Sequence, residues 1–299
     1  MLARIMDVTL IVNPYASEVT QERVHAVELE LARVAQLTTL LTERPGHGVE
    51  LAAAVTGADA VVVFSGDGGF NEVLNGLAAE VPVGFLPGGR TSVLPRALGL
   101  PRDPVEAARR LALALEEGRS QTISLGRVNG RRFAFAAGIG FDAELIRRVD
   151  RLGRRDDGRR PGDLAFIAEA LALVGNRFGR FEPALEIEGF GRAPFALVAN
   201  TDPYTYAGSR PIHVAREARF ELGLDVVAPT RVTPRTVPRL LRYILGSGGR
   251  PGDLLYGHDL DRIEVTCDHP SPLQVDGEDL GDVTEAVFEA ERSAVRVLI

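Results

Sequence analysis

The chain has 299 residues, 45% of them hydrophobic and 25% charged, with a formal charge of −7 at pH 7; at roughly 150 residues per domain this predicts two globular domains with a substantial core. All 34 basic residues are arginine, which excludes a Walker-type phosphate lysine and lysine Schiff-base chemistry. The single cysteine, Cys267, excludes an internal disulfide framework and zinc sites built from paired CxxC ligands, and the acidic balance argues against bulk binding to nucleic acid.

Along the chain, the opening MLARIMDVTLIVNP is apolar but cut by Asp7 and followed by no small-residue cleavage site, so it reads as a first strand (Val8–Val12) rather than a secretion signal. Apolar spacing then predicts a helix over Thr20–Leu37, a buried strand over Ala60–Phe64, a helix over Asn71–Ala79, a strand over Val83–Leu86, and helices over Ser92–Leu98 and Pro104–Glu117, the last with Asp103 as N-cap. Strand and helix alternate, which predicts a parallel sheet with helices on both faces. Beyond Gly118 the pattern changes to short strand-like runs punctuated by Gly, Pro and Asn: Thr122–Val128, Arg132–Ala136, Ala184–Glu188, Phe195–Ala199, Leu224–Val227 and Arg262–Thr266. Helices are expected near Ala143–Val149, Leu164–Val174 and Pro234–Leu245. The expected architecture is an α/β nucleotide-binding domain followed by a β-rich, sandwich-like domain, with the boundary near residues 118–125. The longest apolar stretch, Leu164–Gly175, contains Glu169 and falls short of the roughly 18 residues of a membrane span, so a cytoplasmic protein in a reducing compartment is expected. Charge is uneven: residues 147–160 hold seven arginines against three aspartates, whereas residues 276–291 hold seven acids and no base. The first suits either a solvated loop or an anionic lipid surface.

Four segments carry chemistry. In VVVFSGDGGFNEVLNGL (Val61–Leu77) a buried strand runs into a turn containing Gly66, Gly68 and Gly69 and then a helix, which aims backbone N–H groups at a bound group such as phosphate. Asn71 replaces the third glycine of a dinucleotide fingerprint, and Asp67 inside the turn points to a magnesium ion or a hydroxyl rather than a bare phosphate. The same glycines also suit a plain tight turn. In VGFLPGGRTSVLPRALGLP (Val83–Pro101), Gly88 and Gly89 permit close backbone approach, Arg90 can hold an oxyanion, and Thr91 or Ser92 can cap the next helix. In SPLQVDGEDLG (Ser271–Gly281), Asp276 and Glu278 flank Gly277; the pair can hold a cation or divide into a base and a metal ligand, and DGE is also a common hairpin turn. The fourth, IVNPYAS (Ile11–Ser17), ends a strand in an Asn-Pro turn.

In this order the segments resemble the diacylglycerol kinase and sphingosine kinase superfamily, most closely its bacterial members. NPxSG is matched by Asn13-Pro14 and the residues up to Ser17, GGDGTxNEVxNGL by SGDGGFNEVLNGL, PxGTxNDxARxLGLP loosely by PGGRTSVLPRALGLP, ASIGFDA and DGxLDV by FAFAAGIGFDAEL and ELGLDVV, and QVDGE unaltered by Gln274–Glu278. The resemblance implies an NAD kinase/diacylglycerol kinase-like fold with ATP bound in an interdomain cleft, an ATP-binding domain of residues 1–122 and about 285–299, and a second domain of residues 123–284 that contributes DGE. It implies transfer of the γ-phosphate of ATP to a lipid hydroxyl, with Mg2+.

Asp276 would be the general base, with Asp67 the competing assignment. Asn13, Pro14, Ser65, Gly66, Asp67, Gly68, Gly69, Asn71, Glu72, Gly88, Gly89, Arg90, Thr91, Ser92, Gly277 and Glu278 would surround the nucleotide. Asp67 and Glu278 would hold the catalytic metal, and Glu221 and Asp225 fall where some members bind a structural magnesium. The departures are Ser65 for the first glycine, Gly69 for threonine, and Arg90, Ser92 and Val93 for the Thr, Asn and Asp of GTxND. The expected partner is a lipid substrate met peripherally at the inner face of a membrane, through the arginine-rich loop and the helix Leu164–Val174, with a homodimer as the candidate assembly and no nucleic acid. The rival readings are an NAD kinase, disfavoured by QVDGE and NEVLNGL, and a non-catalytic lipid- or nucleotide-binding regulator. Cys267 reads as a packed thiol, and His213, His258 and His269 as ordinary surface or turn residues.

Overall fold

The computed structural model describes residues 5–77, 81–140, 143–144, 147, 181–233 and 235–299. The chain divides into two compact units, Met1–Ser124 with Arg292–Ile299, and Leu125–Glu291.

The first unit contains β1 (Met6–Val12), α1 (Gln21–Leu31), β2 (Ala35–Leu41), α2 (His47–Ala54), β3 (Ala60–Ser65), α3 (Asp67–Gly76), β4 (Val83–Pro87), α4 (Val93–Ala97) and α5 (Pro104–Glu117). Its strands run parallel in the order β2-β1-β3-β4, and Val297 near the C-terminus pairs in parallel with Val83 of β4. Period-2 alternation sorts the buried strand residues to two faces. Val8, Leu10, Val12, Ala60, Val62, Phe64 and Leu86 join Val27 and Leu31 of α1 and Ala107, Ala108 and Leu111 of α5 in one cluster. On the other face Phe85 of β4 meets Phe70 of α3 edge-on, 5.2 Å between ring centres.

The expected pattern changes at three places here. The helix expected over Thr20–Leu37 ends at Leu31, and β2 follows. Leu31, Val34 and Ala35 continue a helical spacing across the turn, which hides the change, whereas Thr38 and Thr39 favour the pleated strand beside β1. Helix α2 was not expected at all, because its N-cap is Gly46, which has no side chain to signal a start. Helix α3 begins at Asp67 rather than Asn71, so Gly68 and Gly69 lie inside its first turn.

The second unit contains the end of β5 (Ser120–Val128), then β6 (Arg131–Phe133), β7 (Ala136–Ile139), β8 (Leu185–Ile187), β9 (Gly191–Ala193), β10 (Ala196–Ala199), β11 (Thr205–Ala207), β12 (Arg210–Ile212), β13 (Leu224–Pro229), α6 (Val237–Ile244), β14 (Leu254–Leu260), β15 (Arg262–Val275) and most of β16 (Glu278–Leu298). Pairing is antiparallel throughout, in the order β14-β13-β10-β7-β15-β16, with β8 also on β15. Phe133, Ile139, Ile187, Val226, Ile263, Val265 and Phe288 centre its core, and Cys267 packs there as a buried thiol that burial pushes up in pKa. Arg127 and Arg132 both pair with Glu291 at the edge of this core. Of the helix expected near Ala143–Val149 only residues 143, 144 and 147 are described. The arginine-rich stretch beyond Arg147 and the helix expected over Leu164–Val174 lie outside the described residues.

Candidate active site

In the first unit every residue of β3 is buried, so the strand delivers the chain from the core directly into the turn at Gly66. Gly66 is extended (φ −90°, ψ 179°) and caps α3 without a side-chain bond, and its carbonyl accepts from Phe70 N at 3.1 Å to close the first helical turn. The early N–H groups of α3 are therefore presented at the helix start, where the helix dipole favours an anion. Gly68 is exposed, and a Cβ built on it would meet nothing within 4 Å.

The second glycine turn lies against the first, backbone to backbone. Gly88 N donates to Ser65 O at 2.7 Å, and a Cβ at Gly89 would lie 3.0 Å from Gly66 Cα. The Ser92 hydroxyl accepts from Gly89 N and donates to Gly89 O, so Ser92 (φ 44°) closes its own turn rather than capping α4. The cap comes from Asp67, whose carboxylate oxygens accept Val93 N at 3.0 Å and Leu94 N at 3.2 Å. Asp67 thus ties one glycine turn to the other. Arg90 is exposed, with no ion-pair partner among the described residues, while Thr91 O accepts from Arg96 at 3.4 Å.

Neighbouring members of the motif serve the scaffold. Glu72 accepts Gly46 N and Gly48 N, each at 2.9 Å, and so supplies α2 with the cap its own sequence lacks. Asn71 is buried and accepts from Asn75 through both its side-chain and backbone oxygens. Asn13 N donates to Phe64 O, and the Asn13 side chain accepts from Tyr15 N, which shapes the Asn-Pro turn beside β3. Ser65 and Gly69 are a fitted pair, because a Cβ at residue 69 would lie 2.1 Å from Ser65 Oγ.

In the second unit, Val275 pairs with Glu278, so Asp276 and Gly277 form a two-residue hairpin loop. Both have positive φ (47° and 81°), the conformation of a type I′ turn, for which Asp-Gly is among the best sequences. The Asp276 carboxylate turns inward and accepts Ala134 N at 2.7 Å, Phe135 N at 3.0 Å and Ala136 N at 3.2 Å; the residue is 5% exposed. Gln274 accepts Gly277 N at 3.0 Å and donates to the Tyr204 hydroxyl at 3.2 Å, and Glu278 pairs with Arg131 at 3.1 Å.

Asp225 is fully buried and accepts from the Tyr256 hydroxyl at 2.7 Å and Asp259 N at 3.1 Å, with His258 Nδ1 at 2.8 Å, while Glu221 is exposed. Burial, and then the bond to Asp225, push the Tyr256 phenol above its ordinary range. Among the described residues no group of three or more His, Cys, Asp or Glu side chains is arranged to hold a metal ion. Of the two residues expected to hold a structural magnesium, Asp225 is thus reached by donors from β14, while Glu221 lies at the surface. His213, which the sequence left as a surface or turn residue, lies 2.6 Å through Nδ1 from Asp202. Burial pushes Asp202 above the ordinary carboxylate range, against the opposing pull of His213. Neither partner belongs to a motif, so the sequence offered no signal for the pair.

Residues 7–128 match the diacylglycerol kinase catalytic domain family. A diacylglycerol kinase of Mycobacterium tuberculosis is 37% identical over 130 residues, 41% of each chain, so that match spans less than half of the relative's length. A probable YegS-like lipid kinase of Chromohalobacter salexigens is 32% identical over 281 residues, covering 91% of this chain and 86% of the relative. A crystal structure of a putative diacylglycerol kinase from Bacillus anthracis has a TM-score of 0.76 at 20% identity, covering 99% of this chain and 98% of that one, and shares the fold.

Proposed function

The chain belongs to the diacylglycerol kinase superfamily, and from that premise we propose that it transfers the γ-phosphate of MgATP to the hydroxyl of a lipid, diacylglycerol or a close relative. The observation that carries this reading is the pair of backbone-packed glycine turns, one ending in the uncapped start of α3 with open space at Gly68. Phosphoryl transfer proceeds through a loose transition state, so the protein has mainly to align the donor and offset charge. The N–H groups at the start of α3 hold phosphate oxygens, and Arg90 supplies the positive charge that a missing lysine does not. Asp67 acts as a positioning residue that fixes the second turn on the first. Mg2+ enters here with the nucleotide, as part of the substrate. Asp276 is assigned the proton-accepting role: three backbone N–H groups hold its carboxylate in one orientation within the QVDGE hairpin. The reaction is placed at the cytoplasmic face of a membrane, on a lipid met peripherally. Among the described residues no helix is long and apolar enough to cross a bilayer.

The test is transfer of labelled phosphate from ATP to diacylglycerol, monoacylglycerol, ceramide, sphingosine and phosphatidylglycerol in mixed micelles, with NAD as a soluble acceptor. Phosphorylation of a lipid and not of NAD is the expected result; transfer to NAD alone overturns it. A regulator without a nucleotide site gives no thermal stabilisation by MgATP, whereas the proposed kinase gains stability with ligand concentration. Gly68→Ala separates binding from folding. Its new methyl group meets no protein atom, and alanine in a helix is favoured over glycine by up to about 1 kcal/mol, so the unliganded melting temperature should hold or rise. The MgATP-induced shift should nevertheless vanish, because the methyl group occupies the approach to the turn; a full shift in this variant would remove the phosphate from this position.

A further inference from the structure

From residue 226 to residue 252 the chain has five arginines and no Asp or Glu, in a protein whose net charge is −7. At the centre of this stretch is α6. Its inner side is fixed to the unit beneath it: Tyr243 is buried and donates to Val214 O at 2.9 Å, Arg216 stacks on the Tyr243 ring at 4.5 Å, and His213 N donates to Ile244 O at 2.9 Å. At 100° per residue, the opposite side carries Leu241, Leu245, Pro238, Arg242 and Arg239 in that order around the helix, and all five are exposed. Leu241 is 50% exposed and Leu245 37%, so two leucines and two arginines stand side by side on the outward surface, with Pro238 between them. Arg231 and Arg235 precede the helix and are also exposed. Among the described residues none of Arg231, Arg235, Arg239 and Arg242 pairs with a carboxylate; Arg250 alone does, at 3.8 Å from Glu217.

We propose that this face of α6 docks the protein on an anionic phospholipid surface, with the arginines on headgroup phosphates and Leu241 and Leu245 in the headgroup–acyl boundary. A short helix that presents apolar and basic residues side by side has the composition of an interfacial helix. Each arginine near an anionic leaflet adds attraction that falls away within a Debye length, so the acidic remainder of the chain does not cancel it. Two outward leucines have no use against a nucleic-acid backbone. A second copy of the same face would oppose arginine with arginine. The docking surface shares no residue with either glycine turn and does not require the transfer reaction.

The full chain, without nucleotide, is to be co-sedimented with vesicles of phosphatidylcholine alone and with vesicles containing about one-third phosphatidylglycerol, a fraction that gives a strongly anionic surface. Binding to the anionic vesicles only, weakened by salt, is expected. The variant Arg235→Gln/Arg239→Gln/Arg242→Gln should lower the partition coefficient on the order of 100-fold. Leu241→Ser/Leu245→Ser should lower it by about tenfold or more at unchanged charge. All five positions are exposed, so the melting curves should match the parent and show that folding is retained. Equal binding to both vesicle types, variants that bind like the parent, or binding to RNA in preference to anionic vesicles would each overturn the proposal. Vesicle binding by a protein that phosphorylates no lipid would leave the docking face standing and remove the kinase reading.

Discussion

Replacing Asp276 with alanine is expected to destabilise the unit that holds it by about 3–9 kcal/mol, because three backbone N–H groups lose their acceptor together and each buried unsatisfied donor costs about 1–3 kcal/mol. In a thermal melt this is a fall of about 10 °C or more. A change within about 0.5 kcal/mol, the size typical of an ordinary surface substitution, would show that water takes over the three N–H groups and that the anchor is dispensable. The result bears on how the proton-accepting role is tested. Asp276→Asn turns an amide NH2 towards the same N–H groups, so lost transfer in that variant reports lost structure as well as a lost base. The informative readout is the pH dependence of transfer by the parent, compared with transfer by the folded fraction of the variant at low temperature. A base role predicts that the acidic limb of the profile disappears with Asp276, whereas a purely structural role predicts lower activity with an unchanged limb.

Gly69→Ala is expected to destabilise the first unit by about 1–3 kcal/mol or somewhat more, the range of overpacking at a fitted site. The new Cβ falls 2.1 Å from Ser65 Oγ and 2.8 Å from Ser65 Cβ, so no rotation of the serine side chain alone relieves it. Ser65→Gly alone should cost about 0.5–1 kcal/mol as a glycine in a strand, offset in part because the buried Ser65 hydroxyl has no hydrogen-bond partner among the described residues. The double variant Ser65→Gly/Gly69→Ala should be more stable than Gly69→Ala alone, with a coupling of about 1–3 kcal/mol measured by denaturant titration. Additive effects would show that Ser65 and Gly69 are independent. The cycle also explains why Ser65 and Gly69 depart together from the GGDGT pattern: bulk has moved from the helix to the end of the strand that faces it.

Much of the fold was legible because its signals are local. Continuous burial of Ala60–Ser65, the glycines after it and the helix that follows can be read within twenty residues, and the change to short punctuated strands beyond Gly118 marked the antiparallel region. The QVDGE segment was legible in kind, since Asp-Gly is the sequence a two-residue hairpin prefers. Its chemistry was not, because what Asp276 binds is the segment between β6 and β7, about 140 residues earlier in the chain. Helix α2 and strand β2 escaped for a related reason. The cap of α2 is Glu72 from another helix, and β2 owes its form to pairing along β1 rather than to its own periodicity. Asp67 was read as a group facing metal or hydroxyl, and it is also the cap of α4.

The sequence by itself determined the two-part architecture and the positions of both glycine turns, because burial periodicity and turn chemistry are properties of neighbouring residues, and the order of its motifs carried the resemblance to a kinase superfamily. Only the tertiary structure decided which polar groups are already spent. A carboxylate's chemistry depends on how many donors reach it, and those donors come from distant segments: Val93 and Leu94 for Asp67, Gly46 and Gly48 for Glu72, Ala134 to Ala136 for Asp276, and Tyr256, His258 and Asp259 for Asp225. The same holds for the arginines of α6. The sequence shows that they lack acidic neighbours along the chain, but only packing, which buries Tyr243 and leaves Leu241 and Leu245 outside, decides that they share an outward face.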